Sequence, residues 1–207
     1  MSNLKRFFLI FLLLFFFMLF SIFSYAKTVS TNLENNIFRL HILANSDSTQ
    51  DQSLKLKVRD NIINYLENLC INCNSKSEYI SIINNNVDNL KNIATQTIIE
   101  NGYNYSVNIE IGNFYFPTKE YGNISYPAGF YDGLRIKIGK SSGQNWWCSL
   151  FPPLCFTDIS SGIIDDNTRK NLENNISSEE FNIISSNNTI YKIKFKLIEF
   201  LNEKNIL

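Results

Sequence analysis

The chain has 207 residues, and its 19 basic and 19 acidic side chains give a formal net charge of zero. Two of the basic residues and none of the acidic ones lie in the first 26 positions, so the remainder carries a net charge of −2. This balance excludes the clustered basic surface that nucleic-acid binding requires, and the length suits one domain behind a short leader.

The N-terminus has the features of an export signal. Lys5 and Arg6 precede an apolar run from Phe7 to Phe23, and small residues then frame a cleavage site after Ala26. The run is long for a signal peptide and slightly short for a bilayer span of about 20 residues, so an uncleaved membrane anchor is the alternative. Both interpretations predict that everything beyond Ala26 lies outside the cytoplasm.

The exported part begins with polar residues 27–36, which predict a tether, and continues as a single domain over 37–207. Apolar and polar residues alternate from Ile37 to Ala44, which predicts a half-buried strand. Ser48 with Asp51 three positions on indicates a helix start. The apolar residues that follow recur at helical spacing, with Tyr65 and Leu66 together forming one step, and predict one helical face: Leu54, Val58, Ile62, Tyr65, Leu66 and Leu69.

As far as residue 138, the chain predicts one more helix and two more strands. The helix runs from near Ser77 to a stop at Gly102, and the strands cover about 105–111 and 134–138. From Ile190 a strand-like start passes into a terminal helix. These elements predict an α+β fold of two layers, a small, mainly antiparallel sheet with two packed helices and a C-terminal helix.

His41 is the only histidine, and it raises the question of catalysis. A Ser-His-Asp interpretation would combine it with Ser46 and Asp47, but no Gly-x-Ser-x-Gly turn accompanies them. Ser and Asp directly before a helix are explained by capping. The sequence therefore favours a structural His41, hydrogen-bonded to the loop after its own strand, with contact to a partner as the alternative.

The four cysteines form two pairs, and the export signal makes disulfides the expected chemistry. Cys148 and Cys155 are predicted to form a bridge around two prolines. Cys70 and Cys73 are compatible with a redox pair, a tight surface disulfide or two free thiols. The spacing of the second pair is too long for a zinc knuckle, and no phosphate-binding glycine loop occurs. We therefore predict neither a metal nor a cofactor.

The stretch from Asn145 to Phe156 is rich in bulky residues. Large rigid aromatic side chains concentrate binding energy at interfaces, but they also fill cores. We therefore expect one of Trp146 and Trp147 to point into the core and the other to lie at the rim of an interface. A membrane-interface position is a further alternative for this pair.

Several stretches together resemble the stage II sporulation protein R family. The resemblance is ordered, covers about residues 37–156, and does not include Cys70 and Cys73. It is carried by FRLHILANSDS at 38–48, LKLKVRD at 54–60, FPTK at 116–119, YPAG at 126–129, LRI at 134–136 and NWWCSLFPPLCF at 145–156.

This resemblance implies a function that the residue patterns do not show. Family members are made in the forespore and exported to the space between forespore and mother cell, where they activate a membrane-embedded aspartic protease of the mother cell. That protease processes the precursor of the early mother-cell sigma factor. The chain is accordingly expected to be a signal rather than an enzyme.

The expected partner-binding residues are Trp146, Trp147 and Phe151, with Arg39, His41 and Asp47 as secondary candidates. The alternatives are an extracytoplasmic hydrolase and a cell-wall-binding module. The hydrolase would use His41 with Ser46 or Asp47, and the wall-binding module would use the two tryptophans.

Overall fold

The computed structural model describes residues 3–155 and 166–185, and it confirms the α+β class. The helices are α1 (Asn3–Asn36), α2 (Thr49–Leu69), α3 (Lys76–Asn84), α4 (Val87–Glu100), α5 (Asp166–Asn175) and α6 (Ser178–Ser185). The strands are β1 (Phe38–Leu43), β2 (Val107–Phe116), β3 (Lys119–Tyr121), β4 (Ile124–Tyr126), β5 (Gly129–Ile138) and β6 (Asn145–Phe151).

The main sheet has four strands in the order β2-β5-β1-β6. Strand β1 is parallel to β5 and antiparallel to β6, and β2 is antiparallel to β5, so two of the three pairings are antiparallel as predicted. Strands β3 and β4 form a separate antiparallel hairpin. The strand order places β1, the first strand in the chain, in the interior of the sheet.

The period-two alternation gives the main sheet one apolar face, and helices cover it. Phe38, Leu40 and Ile42 on β1 are fully buried, as are Leu134 and Ile136 on β5. Helices α2 and α4 pack against each other on this side, and their apolar stripes join the strands in one core. Helix α2 begins as predicted, because the Ser48 side chain accepts a hydrogen bond from the Asp51 N–H at 3.2 Å.

Helix α1 is long and apolar enough to cross a membrane, and no other helix within 3–155 and 166–185 meets that test. The side chains of its apolar run are largely exposed. This feature agrees with the predicted signal or anchor, although length and composition do not separate the two.

The segment 27–36 is where the structure departs from the predicted tether. It continues helix α1 without a break, and Val29 and Leu33 are buried with 6% and 0% of their surface exposed. Lys76 donates to the carbonyl oxygens of Glu34 and Asn35 at 3.0 Å each, which satisfies free acceptors at the helix C-terminus. The polar residues of this segment cover the outer side of a docked helix, so the segment is part of the domain.

Three further elements differ from the prediction. The single helix expected from Ser77 to Gly102 is two helices, α3 and α4, separated at Asn85 and Asn86. The hairpin β3–β4 and the edge strand β6 were not predicted. The expected C-terminal helix beyond Ile190 lies outside the described residues.

Candidate functional site

The face of the main sheet opposite the helices carries the predicted candidates Arg39 and His41. Both side chains come from β1 and alternate with its core residues, which places them on this outer face. The hairpin β3–β4 covers the half around Arg39. The other half is not covered by the hairpin and carries charged side chains around His41, which is itself buried with 4% of its surface exposed. We call this second half the open face and define it by Glu110, Arg135, Lys137, His41 and Trp147.

Arg39 lies in a box of aromatic rings in the covered half. Its side chain is fully buried, and the guanidinium carbon lies 4.4 Å from the ring centre of Phe116, 5.0 Å from Tyr131 and 5.7 Å from Tyr126. One guanidinium nitrogen, Nη2, donates to the hydroxyl of Tyr121 at 3.1 Å. Nε and Nη1 are buried and make no hydrogen bond. Among the residues that the structure describes, no carboxylate pairs with this cation, so ring faces stabilise it instead.

Gly133 makes room for this box. A Cβ atom at Gly133 would lie 2.9 Å from the carbonyl oxygen of Arg39 and 3.0 Å from the ring of Phe116. Both separations are shorter than a carbon tolerates without a shift of its neighbours. The missing side chain on β5 therefore lets the Phe116 ring lie across the strand and reach the guanidinium.

The open face is organised by a row of four residues, one from each strand. Strand register pairs Glu110 with Arg135, Arg135 with His41, and His41 with Trp147. The next row contributes Lys137. In their side chains, Arg135 is 22% exposed, while Glu110 and Lys137 are each 32% exposed. The three charged groups are therefore accessible from solvent, next to an aromatic pair.

Contacts along this row fix the orientation of each side chain. The Glu110 carboxylate lies 2.6 Å from Nζ of Lys137 and 3.8 Å from Nη1 of Arg135. Nε of Arg135 donates to Nδ1 of His41 at 3.2 Å. The His41 ring stacks on Trp147 with centres 3.6 Å apart and planes at 17°. One acid thus faces two cations, which leaves the open face with a positive charge.

The electrostatics of the face keep His41 neutral. Burial lowers the pKa of His41 to about 4, opposed by a hydrogen bond with Asn145. The charges of Arg135, Arg39 and Lys137 act in the same direction as burial and contribute to this low pKa. A neutral imidazole is also what the hydrogen bond from Arg135 requires, since Nδ1 is the acceptor. His41 therefore serves as an acceptor and a stacking surface.

This low pKa predicts a pH dependence of stability. An unfolded histidine titrates near 6.5, so between pH 6.5 and about 4 the unfolded chain binds more protons than the folded one. Stability should therefore fall as the pH drops through this window. We expect His41→Gln to flatten this dependence, measured as urea unfolding midpoints at several pH values. An unchanged slope would exclude His41 as its source.

The other predicted aromatic candidates lie elsewhere. Trp146 is on the helical side of the sheet, where the Arg59 guanidinium carbon lies 4.2 Å from its ring centre. Phe151 is buried in the core against Tyr79, with ring centres 6.0 Å apart. The two tryptophans therefore face opposite sides of β6, and of the three only Trp147 belongs to the open face.

Asp47 lies in the exposed turn after β1 and has a structural partner. Its carboxylate accepts a hydrogen bond from the backbone N–H of Gln144 at 2.6 Å. This contact ties the turn after β1 to the segment before β6. Partner binding by Asp47 stays a prediction.

The structure does not assemble the triad considered from the sequence. The Ser46 hydroxyl donates to the Asp51 carboxylate at 2.5 Å, while His41 bonds to Arg135. The expected hydrogen bond from His41 to the following loop is therefore replaced by a cross-strand one. Burial opposes the ionisation of Asp51, but hydrogen bonds from Ser46 and Asn45 hold its pKa below the usual value. Ser46 thus serves the helix start.

Cys148 and Cys155 form the predicted disulfide, with Cα atoms 5.3 Å apart. The bridge closes the turn after β6, where the Ser149 hydroxyl donates to the Pro152 carbonyl at 2.8 Å. It therefore anchors the chain directly after the strand that carries Trp147. Within the residues that the structure describes, no group of three or more histidine, cysteine or acidic side chains could hold a metal ion.

Glu110, Arg135 and Lys137 were not predicted as site residues. Alternation along the third predicted strand does place Arg135 and Lys137 on one face. The sequence gives no strand register, and register is what brings Glu110 from β2 and Trp147 from β6 beside them. Only the tertiary pairing reveals the row.

Comparison with known proteins gives a consistent result. The family model described as stage II sporulation protein R matches residues 34–161. A protein named stage II sporulation protein R from Bacillus subtilis (strain 168) is 42% identical over 130 residues, which cover 63% of this chain and 58% of that protein. The match thus spans under two thirds of the relative's length. No solved structure matches the chain.

Proposed function

Because the chain belongs to the stage II sporulation protein R family, we propose that it is an exported signal of sporulation. In this proposal it leaves the forespore, enters the space between forespore and mother cell, and binds a membrane-embedded aspartic protease. Binding activates the protease, which then processes the precursor of the early mother-cell sigma factor. The chemistry belongs to the partner, and this chain supplies binding energy.

The observation that carries the proposal is the open face. It combines the Trp147 ring, stacked on His41, with the accessible charged groups of Arg135 in the same row and Lys137 in the next row. Tryptophan and arginine are the residues that most often dominate protein–protein binding energy. A rigid sheet holds them, so little conformational entropy is lost when a partner docks.

The apolar helix α1 supports the proposed location. Its apolar run is exposed and long enough to insert in a bilayer. Because the segment 27–36 docks on the domain rather than forming a tether, an uncleaved helix would hold the domain close to the membrane. A membrane-embedded protease is then within reach of the open face.

The energy that such a switch needs sets a scale for the interface. Shifting an enzyme from 1% to 99% active requires a ligand that binds the active state more favourably by about 5.5 kcal/mol. Individual anchor residues at interfaces contribute about 2–4 kcal/mol each. The contacts of Trp147 and its charged neighbours would therefore have to form mainly with the active state of the protease.

The direct test is co-expression of the full chain with the sporulation protease and its sigma-factor precursor in a non-sporulating host. Processing should appear only when the exported chain is present. A chain that reaches the exported compartment, forms its disulfide and still gives no processing would contradict the proposed function.

Trp147→Ala tests the face within that assay. We expect processing to fall at least tenfold, since loss of an anchor contributing about 2 kcal/mol or more has that effect. Retention of the Cys148–Cys155 disulfide and a cooperative thermal transition would show that the variant folds. A folded variant that triggers processing at an unchanged dose would remove Trp147 from the site.

Lys137→Glu offers a charge test with a matched control. Reversal of this exposed cation should weaken processing if the partner presents an acidic surface. Lys91→Glu makes the same change at an exposed position of α4, in the helical layer, and should leave processing unaffected. Equal effects of the two reversals would mean that net charge, rather than the open face, governs the response.

A further inference from the structure

Cys70 and Cys73 are free thiols in a protein whose other two cysteines are bridged. Cys70 follows the last residue of α2 and belongs to the buried core, with 8% of its surface exposed. Cys73 is only partly buried and packs against the same core. The pair plays no part in the open face, so the proposed function leaves it unexplained.

The backbone between the two cysteines is folded into a turn that brings them together. The Cys70 N–H donates to Leu66, the last helical hydrogen bond, and the Cys73 N–H donates back to the Cys70 carbonyl at 3.0 Å. A turn closed by such a bond has Cα atoms less than about 7 Å apart. Disulfides span about 4.4–6.8 Å between Cα atoms, so a bridge fits here with little backbone movement.

The two thiols differ in accessibility and acidity. Burial and, to a smaller extent, the neighbouring Cys73 raise the pKa of Cys70 to about 12. Tyr79, which is itself buried, lies within hydrogen-bonding distance of the Cys70 thiol. Burial also raises the pKa of Cys73, but its side chain is accessible to a solute. Because Cys70 is buried and Cys73 is only partly buried, an external disulfide reaches Cys73 first.

We propose that Cys70 and Cys73 form a thiol–disulfide exchange site in which Cys73 is the entry thiol and Cys70 the resolving thiol. The oxidant is an external disulfide, either a small molecule or a protein. The thiolate of Cys73 attacks one sulfur of that disulfide, which forms a mixed disulfide and releases the other sulfur as a thiolate. Cys70 then loses its proton to solvent and attacks Sγ of Cys73.

This second step forms the Cys70–Cys73 bridge and releases the remaining half of the oxidant as a thiolate. Two thiols of the chain are oxidised, and one external disulfide is reduced to two thiols, so electrons and atoms balance. Export to a compartment where Cys148 and Cys155 are bridged supplies the setting in which such disulfides occur.

The site lies where oxidation would affect the docking of α1. Three residues beyond Cys73, Lys76 donates to the carbonyl oxygens of Glu34 and Asn35 at the C-terminus of α1. Lys76 also pairs with Asp132 of β5 at 2.8 Å. A bridge at the start of this segment would restrict the turn that positions Lys76.

The experiment uses the full chain in detergent, with the Cys148–Cys155 bridge intact and glutathione disulfide as the probe, followed by intact-mass measurement and peptide mapping. The wild-type chain should lose both free thiols without keeping glutathione. Cys70→Ser should accumulate one glutathione, mapped to Cys73. Cys73→Ser should react at least about tenfold more slowly than Cys70→Ser, because only the buried thiol remains.

Two results would overturn the proposal. One is a Cys73→Ser variant that reacts as fast as Cys70→Ser, which would remove the assigned order. The other is a wild-type chain that keeps a stable glutathione adduct on Cys73, which would show that Cys70 does not reach it. Both readouts are chemical and are independent of any effect on sporulation.

Discussion

Leu33→Ala is expected to lower the free energy of unfolding of the domain by about 2–5 kcal/mol, the range for truncating a buried leucine. Leu33 is completely buried, although it lies in a segment that the sequence predicted as a polar tether. The measurement is urea unfolding of the chain from residue 27 onward. A tether would make the same substitution neutral, so the size of the effect separates the two descriptions.

Thr31→Ala is the matched control for this prediction. Thr31 is exposed on the same helix, two residues away, so its truncation should change stability by less than about 0.5 kcal/mol. If both substitutions were neutral, the result would contradict the packing of segment 27–36 on the domain. If both were equally destabilising, burial of Leu33 would not be the specific cause, because alanine itself favours the helical backbone.

The docked helix also bears on the cleavage predicted after Ala26. The buried residues Val29 and Leu33 lie beyond that position, so cleavage would leave them in the domain. The Ser30 hydroxyl donates to the Glu34 carboxylate at 3.1 Å within the same turn. The mature N-terminus would then be a short helix packed on β5, and both cleaved and uncleaved chains would retain it.

The sequence predicted well where one segment alone determines structure. Alternation in β1 and the three-to-four spacing in α2 predict a strand and a helix, and both elements are confirmed, although β1 is buried on both faces and not on one as predicted. The cap at Ser48 follows from local hydrogen bonding and is confirmed as well. These features need no knowledge of what packs against them.

The prediction failed where the structure depends on contacts with distant parts of the chain. The spacing of four between Val29, Leu33 and Ile37 is typical of a helix. The polar residues between them nevertheless led to the prediction of a tether, because the sequence of this segment does not show that it packs on β5. The open face depends on the register among four strands. The burial of Arg39 depends on a hairpin contributed from more than 80 residues along the chain.

Substitution of Arg39 is expected to have the second large effect on the free energy of unfolding. Arg39→Ala should lower the free energy of unfolding by about 2–5 kcal/mol, because it leaves a cavity among Phe116, Tyr126 and Tyr131. It also removes the hydrogen bond to Tyr121, which holds the hairpin against the sheet. Thermal or urea unfolding measures the loss.

Arg39→Met is the informative companion, because methionine fills most of the space without the charge. The loss of the cation–π contacts and of the Tyr121 hydrogen bond costs free energy, while removal of the two buried, unpaired donor groups returns about 1–3 kcal/mol for each group. The two terms offset each other, so Arg39→Met should lie within about 1.5 kcal/mol of the wild type. Equal destabilisation by Ala and Met would show that the charge itself stabilises the box.

The same pair of variants decides whether Arg39 contacts the partner. Its guanidinium is fully covered by the hairpin, so a partner docking on the open face meets Trp147 and Lys137 instead. We therefore expect Arg39→Met to fold and to trigger processing at the wild-type dose, whereas folded Trp147→Ala does not. If Arg39→Met folds but fails to signal, the hairpin must open during activation and present the arginine to an anionic group of the partner.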